Sequence, residues 1–180
     1  AGRMGSRLMA VVAEGVRGRV YLSPTSVQEE IARGAHPEWR PEVEMPENPR
    51  WFSPPLYGLK TYGDLFTPRQ LVALTTLSDL VQEAIERCRL DAMALGMADD
   101  VTGLDAGGRG ATAYSQAVGT YLGFSGSRMA DRHSSLCRWD PNPSGYAPKI
   151  ANTFGRQALP MVWDYVEGNP FSPSSGNFED

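Results

Sequence analysis

The chain is expected to fold as an α+β module, mainly helical, with an N-terminal β-hairpin, two long packed helices, one or two short helices and long proline-rich loops. Three observations lead there. Leu71, Leu74, Leu77, Val81, Ile85 and Cys88 recur at three- and four-residue spacing, and a second helical stretch follows from about Thr112. Two β-prone runs flank a glycine-containing turn near the start. The composition, 41% hydrophobic and 21% charged over 180 residues, suffices for one continuous core and excludes a disordered segment.

In chain order, residues 8–13 (LMAVVA) and 19–22 (RVYL) are the hairpin strands, with 14–18 (EGVRG) as the turn, because its glycines can supply positive φ. A two-stranded hairpin is marginal in water, so this one is expected to pack on the helices. Ser26 is placed as the cap of a short helix over 27–33, with Glu29 completing the capping box and Gly34 ending it. From 35 to 55 the chain is rich in acid and carries Pro37, Pro41, Pro46, Pro49, Pro54 and Pro55. Proline fixes φ and removes a donor, so an irregular crossing is expected, pinned by Trp39, Trp51, Phe52 and Tyr57.

Thr67-Pro68-Arg69-Gln70 is the clearest helix start, with a capping hydroxyl, proline in the first turn and a glutamine three residues past the cap. The helix is expected to reach about Leu95, with Glu83 and Arg87 paired across one turn. Residues 97–110 (MADDVTGLDAGGRG) lack periodicity and read as a mobile surface loop. The second long helix is expected from about Thr112 to Cys137, burying Tyr114, Val118, Tyr121, Leu122, Met129 and Leu136. Its small residues at every fourth position, Ala111, Ser115, Gly119, Gly123 and Ser127, suit close approach by a neighbouring helix. After a turn-rich stretch to Pro148, a short helix is expected over 160–167, stopped by Gly168, and then a loop tail over 169–180. The whole is expected as a single module over 1–180, divided at 25, 66 and 168 into hairpin, crossing, helical core and tail.

No apolar run of signal-peptide length opens the sequence, and none approaches the roughly 20 residues a membrane helix needs, so a cytoplasmic protein without membrane contact is expected. Cys88 and Cys137 both fall inside expected helices and read as buried apolar residues, not as a disulfide. The net charge is −4, which excludes a protein coated with basic charge, but its distribution is uneven. Residues 27–48 hold six acids against Arg33 and Arg40, whereas 126–156 hold five bases, Arg128, Arg132, Arg138, Lys149 and Arg156, against Asp131 and Asp140. That second region, with the Arg3, Arg7, Arg17 and Arg19 cluster, is where a phosphate-facing surface is expected.

The chemistry-bearing motifs are few. Gly107-Gly108-Arg109-Gly110 lacks the preceding strand and the following Lys-Ser/Thr of a phosphate cradle and reads as a loop. His133 and Cys137 have metal-ligand spacing, but only His36 and Cys88 could complete a four-ligand zinc site, so no metal is expected. No nucleophile or acid–base cluster is visible, and no catalytic residue is assigned. The nucleic-acid-binding candidates are Arg128, Arg132, Arg138, Asn152, Arg156 and Gln157, whose donors suit phosphates and base edges. The alternative is structural: Arg138-Trp139-Asp140 as a salt-bridged helix end and Arg156 as a tie for the C-terminal loop.

Residues 57–70 (YGLKTYGDLFTPRQ), 133–139 (HSSLCRW) and 152–164 (NTFGRQALPMVWD) are strings that no folding rule requires. Within four ordered blocks, 2–25, 57–84, 114–140 and 152–178, that cover nearly the whole chain, they resemble the central region of adenine-specific DNA methylases of the zinc-ribbon type, after the ribbon and before the catalytic Pro-Pro-Tyr motif. The resemblance implies an auxiliary module of an N6-adenine DNA methyltransferase, positioned where some such enzymes carry target recognition. Its expected partners are the rest of the methylase chain and double-stranded DNA. S-adenosylmethionine and zinc are implied for the parent protein and not for this segment, which holds neither a glycine-rich cofactor turn nor an intact catalytic motif. Ser53-Pro54-Pro55-Leu56-Tyr57 has leucine where the ring that stacks on a flipped base belongs, and Asn169-Pro170-Phe171 lacks the second proline. A module inactive alone is the expectation; a scaffold that never touches DNA is the alternative.

Overall fold

The structure, a computed structural model, describes residues 5–48, 50–141, 148–172 and 177–178. Arg3, Pro49, most of the turn-rich stretch before Pro148 and parts of the tail therefore lie outside the described residues. The architecture is α+β and mainly helical: strands β1 (Val11–Gly15) and β2 (Gly18–Leu22), helix α1 (Ser26–Arg33), the long helices α2 (Pro68–Ala94) and α3 (Ala111–Ala130), and the two-residue strands β3 (Trp139–Asp140) and β4 (Lys149–Ile150).

The hairpin is tighter than the sequence suggests. β1 and β2 pair antiparallel from Val11↔Leu22 to Gly15↔Gly18, leaving only Val16 and Arg17 as the turn. Gly18, at φ 127°, supplies the positive φ such short loops need. The hairpin rests on the β3 region and not on the helices. Trp139 Nε1–H donates to the Tyr21 hydroxyl at 3.2 Å, the Arg19 guanidinium lies 5.3 Å from the centre of the Trp139 ring, and Arg19 also donates to the Pro148 carbonyl.

Thr25, not Ser26, caps α1. Its backbone is extended, its hydroxyl accepts the Gln28 N–H at 3.4 Å, and the Gln28 side chain accepts the Thr25 N–H at 2.9 Å. Two adjacent hydroxyl residues offer two registers, and the glutamine three residues past Thr25 decides between them. Glu29 is thereby free to pair with Arg33 at 2.5 Å.

The crossing is held by aliphatic burial and backbone pairing more than by its aromatics. Met45 and Leu65 are buried and form one core with Leu136 and Leu159, against which Phe52 packs. Trp39 and Trp51 are exposed. Tyr57 stacks edge-on against Trp163 at 4.9 Å. Leu159 N–H donates to the Trp51 carbonyl at 2.7 Å and Ser53 N–H to the Leu159 carbonyl at 3.1 Å, so the crossing and the C-terminal segment run as neighbours. Pro54-Pro55-Leu56-Tyr57 forms a 3-10 turn with Pro54 buried, which gives that motif a structural role.

α2 starts as expected, with the Thr67 hydroxyl accepting from Gln70 N–H and the Gln70 side chain accepting from Thr67 N–H. Leu71, Val81 and Ala92 are buried on its apolar face. Arg87 pairs with Asp91 at 3.0 Å and not with Glu83; acids stand four residues away on both sides, and the two exposed pairings differ little in energy. α3 lies along α2 so closely that a Cβ on Gly119 would sit 2.4 Å from Ile85 Cγ1 and Cδ1. Ala111 and Ser115 share this buried contact row, while Gly123 and Ser127 line an open groove beside it. Tyr114 and Tyr121, expected inside, are exposed.

Residues 97–110, expected as a mobile loop, are cross-braced. Asp99 accepts from Val101 N–H, Thr112 N–H and Thr112 Oγ1–H, each at 3.1 Å, and forms an ion pair with Arg89. Asp100 accepts from Thr102 N–H and Arg109 N–H. Gly108 is needed because a Cβ there would lie 2.0 Å from the Thr102 carbonyl oxygen. The glycines that read as flexibility serve close approach, and the aspartates take over backbone donors as turn residues do.

α3 ends at Ala130, seven residues early. From Asp131 on, side chains capture the backbone: Phe154 N–H donates to Asp131 Oδ1 at 2.6 Å, Thr153 N–H to the Asp131 carbonyl at 2.8 Å, and Leu136 N–H to Ser134 Oγ at 3.0 Å. Residues 160–167 are irregular, with a bend at 163–164, and not helical. Arg138 bridges Tyr165 antiparallel, and Val166 N–H donates to the Cys137 carbonyl at 2.8 Å, so tertiary pairing overrides the local helix signal of Pro160. Gly168 is no helix stop; a Cβ there would meet the His133 ring at 3.1 Å. Among the described residues no helix is long and apolar enough to cross a membrane.

Candidate nucleic-acid interface

The early end of α3 creates the site. Because residues 131–137 turn back, Arg138 is delivered beside the 151–162 segment, and the two enclose a cleft of about 380 Å³. Arg138, Asn152, Thr153 and Arg156 supply its polar lining, and Leu136, Leu159 and Val162 are among its apolar walls. Among the described residues no carboxylate lines it.

Beneath it lies a polar knot. Ser134 Oγ and Thr153 Oγ1 are hydrogen-bonded at 2.6 Å, and Cys137 Sγ approaches Thr153 Oγ1 at 3.2 Å. All three residues are buried, so the loop bearing Asn152 and Arg156 is fixed at its root. Cys137 is thus a buried polar-contact residue in a turn, not on a helix, and both cysteines are free thiols. His133 and Cys137 do not share a helical face, and the described residues contain no group of histidine, cysteine and acid side chains that could hold a metal.

The six expected candidates separate. Arg138, Asn152 and Arg156 line the cleft together. Asn152 is oriented from behind, its Nδ2–H donating to Asp131 Oδ2 at 3.1 Å, which leaves its carbonyl oxygen as an acceptor. Arg132 reaches toward the Ile150 carbonyl at 3.5 Å and supports β4. Arg128 is exposed in the last turn of α3, and Gln157 is exposed outside the cleft lining. The salt-bridged helix end considered for Arg138 and Asp140 does not form; Arg138 has no ion pair among the described residues.

Several of the other arginines are committed to acids. Arg33, Arg40, Arg69, Arg87 and Arg89 each hold a carboxylate. Among the described residues Arg138 and Arg156 form no ion pair, and both line one cleft whose described lining contains no acid. Two guanidinium groups so placed can take a phosphate or carboxylate with charge-assisted hydrogen bonds. Asp131 and Thr153, which organise the site, carried no chemistry in the sequence reading. Their only signal was an acid next to the basic stretch and a threonine inside the 152–164 string.

Comparison with protein-family models, with curated proteins and with solved structures found no match to this chain.

Proposed function

We propose that this chain is an auxiliary, DNA-facing module of an N6-adenine DNA methyltransferase, contributing to target recognition and without methyl-transfer activity of its own. The observation that carries the reading is that Arg138, Arg156 and Asn152 line one cleft with no acid among its described lining residues. Phosphate contacts dominate nucleic-acid affinity and come above all from arginine and lysine, and an amide beside them can read a base edge. The resemblance of residues 57–70, 133–139 and 152–164 to adenine-specific methylases adds the enzyme class.

An electrophoretic shift of a DNA duplex at low salt tests it. A shift weakened by Arg138→Ala or Arg156→Ala is expected; no shift at any salt concentration overturns it. Methyl transfer from labelled cofactor by the isolated chain would overturn the claim that it is inactive alone.

A second reading, a scaffold that packs on the methylase core or on a partner protein, rests on a separate observation. Among the described residues the groove along the α2–α3 pair is lined by no charged residue, and Tyr121 and Phe124 of α3 are exposed. A covered helical face and a DNA-facing cleft can belong to one module, because they are built from different segments.

A further inference from the structure

We infer that the α2–α3 face pairs with the same face of a second copy of this chain, completing an antiparallel four-helix bundle. This rests on the covered-face reading above and names what covers the face; the Arg138–Arg156 cleft plays no part in it. α2 and α3 run antiparallel, since Ile85 meets Gly119 and, nearer the loop, Arg89 and Thr112 share Asp99. A groove of about 500 Å³ lies along them, with Leu74, Leu77, Val81 and Ile85 on one wall and Gly126 and Ser127 on the other. Apolar residues at that three- and four-residue spacing form the seam of a helix bundle, and a lone pair of helices leaves the seam open on one side. Among the described residues nothing closes it at Gly126, where a Cβ would meet no atom within 4 Å.

Three features favour a second copy as the occupant. An interface with two-fold symmetry sets central residues near their own copies, so a charge in the middle of the patch would meet itself. Among the described residues none that lines the groove is charged. At the edges the signs are opposite. Helical spacing puts the exposed Asp79 and Glu83 along the outer edge of α2, and the exposed Phe124 and Arg128 along the outer edge of α3. A two-fold axis parallel to the helices lays α2 of each copy over α3 of the other, so acid meets base at both rims and each Phe124 is covered. The area also suffices. The 20 residues of α3 span about 30 Å, and two helices about 10 Å apart present a face about 20 Å wide. That face is about 600 Å² per copy and about 1,200 Å² in all, the lower end of what specific, stable interfaces bury.

Sedimentation velocity of the whole chain over a range of micromolar concentrations tests the pairing. The inference predicts a mass of twice 19.6 kDa at the highest concentrations. Phe124→Glu, which sets a new acid against Asp79 and Glu83 of the other copy, should weaken pairing at least about tenfold. Asp79→Arg should weaken it by a similar factor, and adding Arg128→Glu should restore it, because the pair re-forms with its signs exchanged. Each altered residue is exposed, so helix content by circular dichroism should match the unaltered chain. A monomer at every concentration would overturn the inference, leaving the face to a different chain and the scaffold reading standing. A dimer that persists unweakened in Phe124→Glu would put the contact on another surface and overturn it as well. Failure of Arg128→Glu to rescue Asp79→Arg would overturn the placing of α2 over α3. The concentration series on the unaltered protein decides the question even if a variant does not fold.

Discussion

Gly119 and Gly123 stand one turn apart on α3 and should respond oppositely to added side chains. At Gly119 a Cβ would lie 2.4 Å from Ile85 Cγ1 and Cδ1, far inside contact distance. At Gly123 nothing lies within 4 Å. Replacing a helical glycine by alanine gains about 0.5–1 kcal/mol from reduced chain entropy and better helix propensity. That gain is unopposed at Gly123, so Gly123→Ala should raise the melting temperature by about 1–4 °C, at about 2–4 °C per kcal/mol for a chain of this length. At Gly119 the same gain is offset by overpacking of about 1–3 kcal/mol, and more for a branched side chain, because Ile85 is held between the helices. Gly119→Leu should therefore lose about 2 kcal/mol net and melt about 4–8 °C lower. Thermal unfolding followed by circular dichroism measures both. Combining Gly119→Ala with Ile85→Ala should restore part of the loss, since the two sites touch and their effects are not additive. A Gly119→Leu variant that melts with the unaltered protein would refute the close α2–α3 packing on which this reasoning rests.

Three further outcomes follow from the same contacts. Thr153→Val removes the 2.6 Å bond to Ser134 under the cleft and should lower stability by about 1–3 kcal/mol in a urea titration, with affinity for DNA falling as the loop loosens. Val101 sits at φ 53°, a conformation unfavourable for a β-branched residue, so Val101→Gly should leave the melting temperature unchanged or raise it by a few degrees, where an ordinary loop valine would lose stability. Asp64 is pushed up by burial, but hydrogen bonds from Thr61, Arg40 and Lys60 outweigh this and hold its carboxyl below the ordinary 3.8. A depressed carboxylate stabilises the fold above its unfolded value and loses that contribution as pH falls through its folded one. Asp64→Asn should thus melt lower at neutral pH, and the gap should close as pH falls below 3.8.

The sequence revealed local structure wherever local chemistry governs it. The α2 start was legible because Thr67, Pro68 and Gln70 signal a helix beginning without help from the rest of the chain. The α2 face was legible because its period runs unbroken for five turns. The end of α3 was not, since the pattern from Met129 to Cys137 is helical in period and only tertiary bonds from Asp131 and Ser134 break it. Residues 160–167 failed for the same reason: Pro160 announces a helix, but the pairing of Met161 with Ser53, Tyr165 with Arg138 and Val166 with Cys137 lies more than twenty residues away in sequence. Composition misled at 97–110, where glycine stands for tight packing against Thr102. For the candidate site, residue type named Arg138, Asn152, Arg156, Arg128, Arg132 and Gln157 alike, and only the fold brings the first three to one cleft. The turn at 131–137 does the sorting, and it is invisible until the fold is known.

The account depends most on the cleft arginines meeting phosphate, and a titration of DNA binding against salt addresses that directly. For the unaltered protein the logarithm of the binding constant should fall linearly with the logarithm of salt concentration. In the Arg138→Ala, Arg156→Ala double variant the slope should shrink by about 1.8 for duplex DNA, or about 1.4 for a single strand, as two phosphate contacts are lost. An unchanged slope in a folded double variant would show that DNA binds elsewhere and contradict the account.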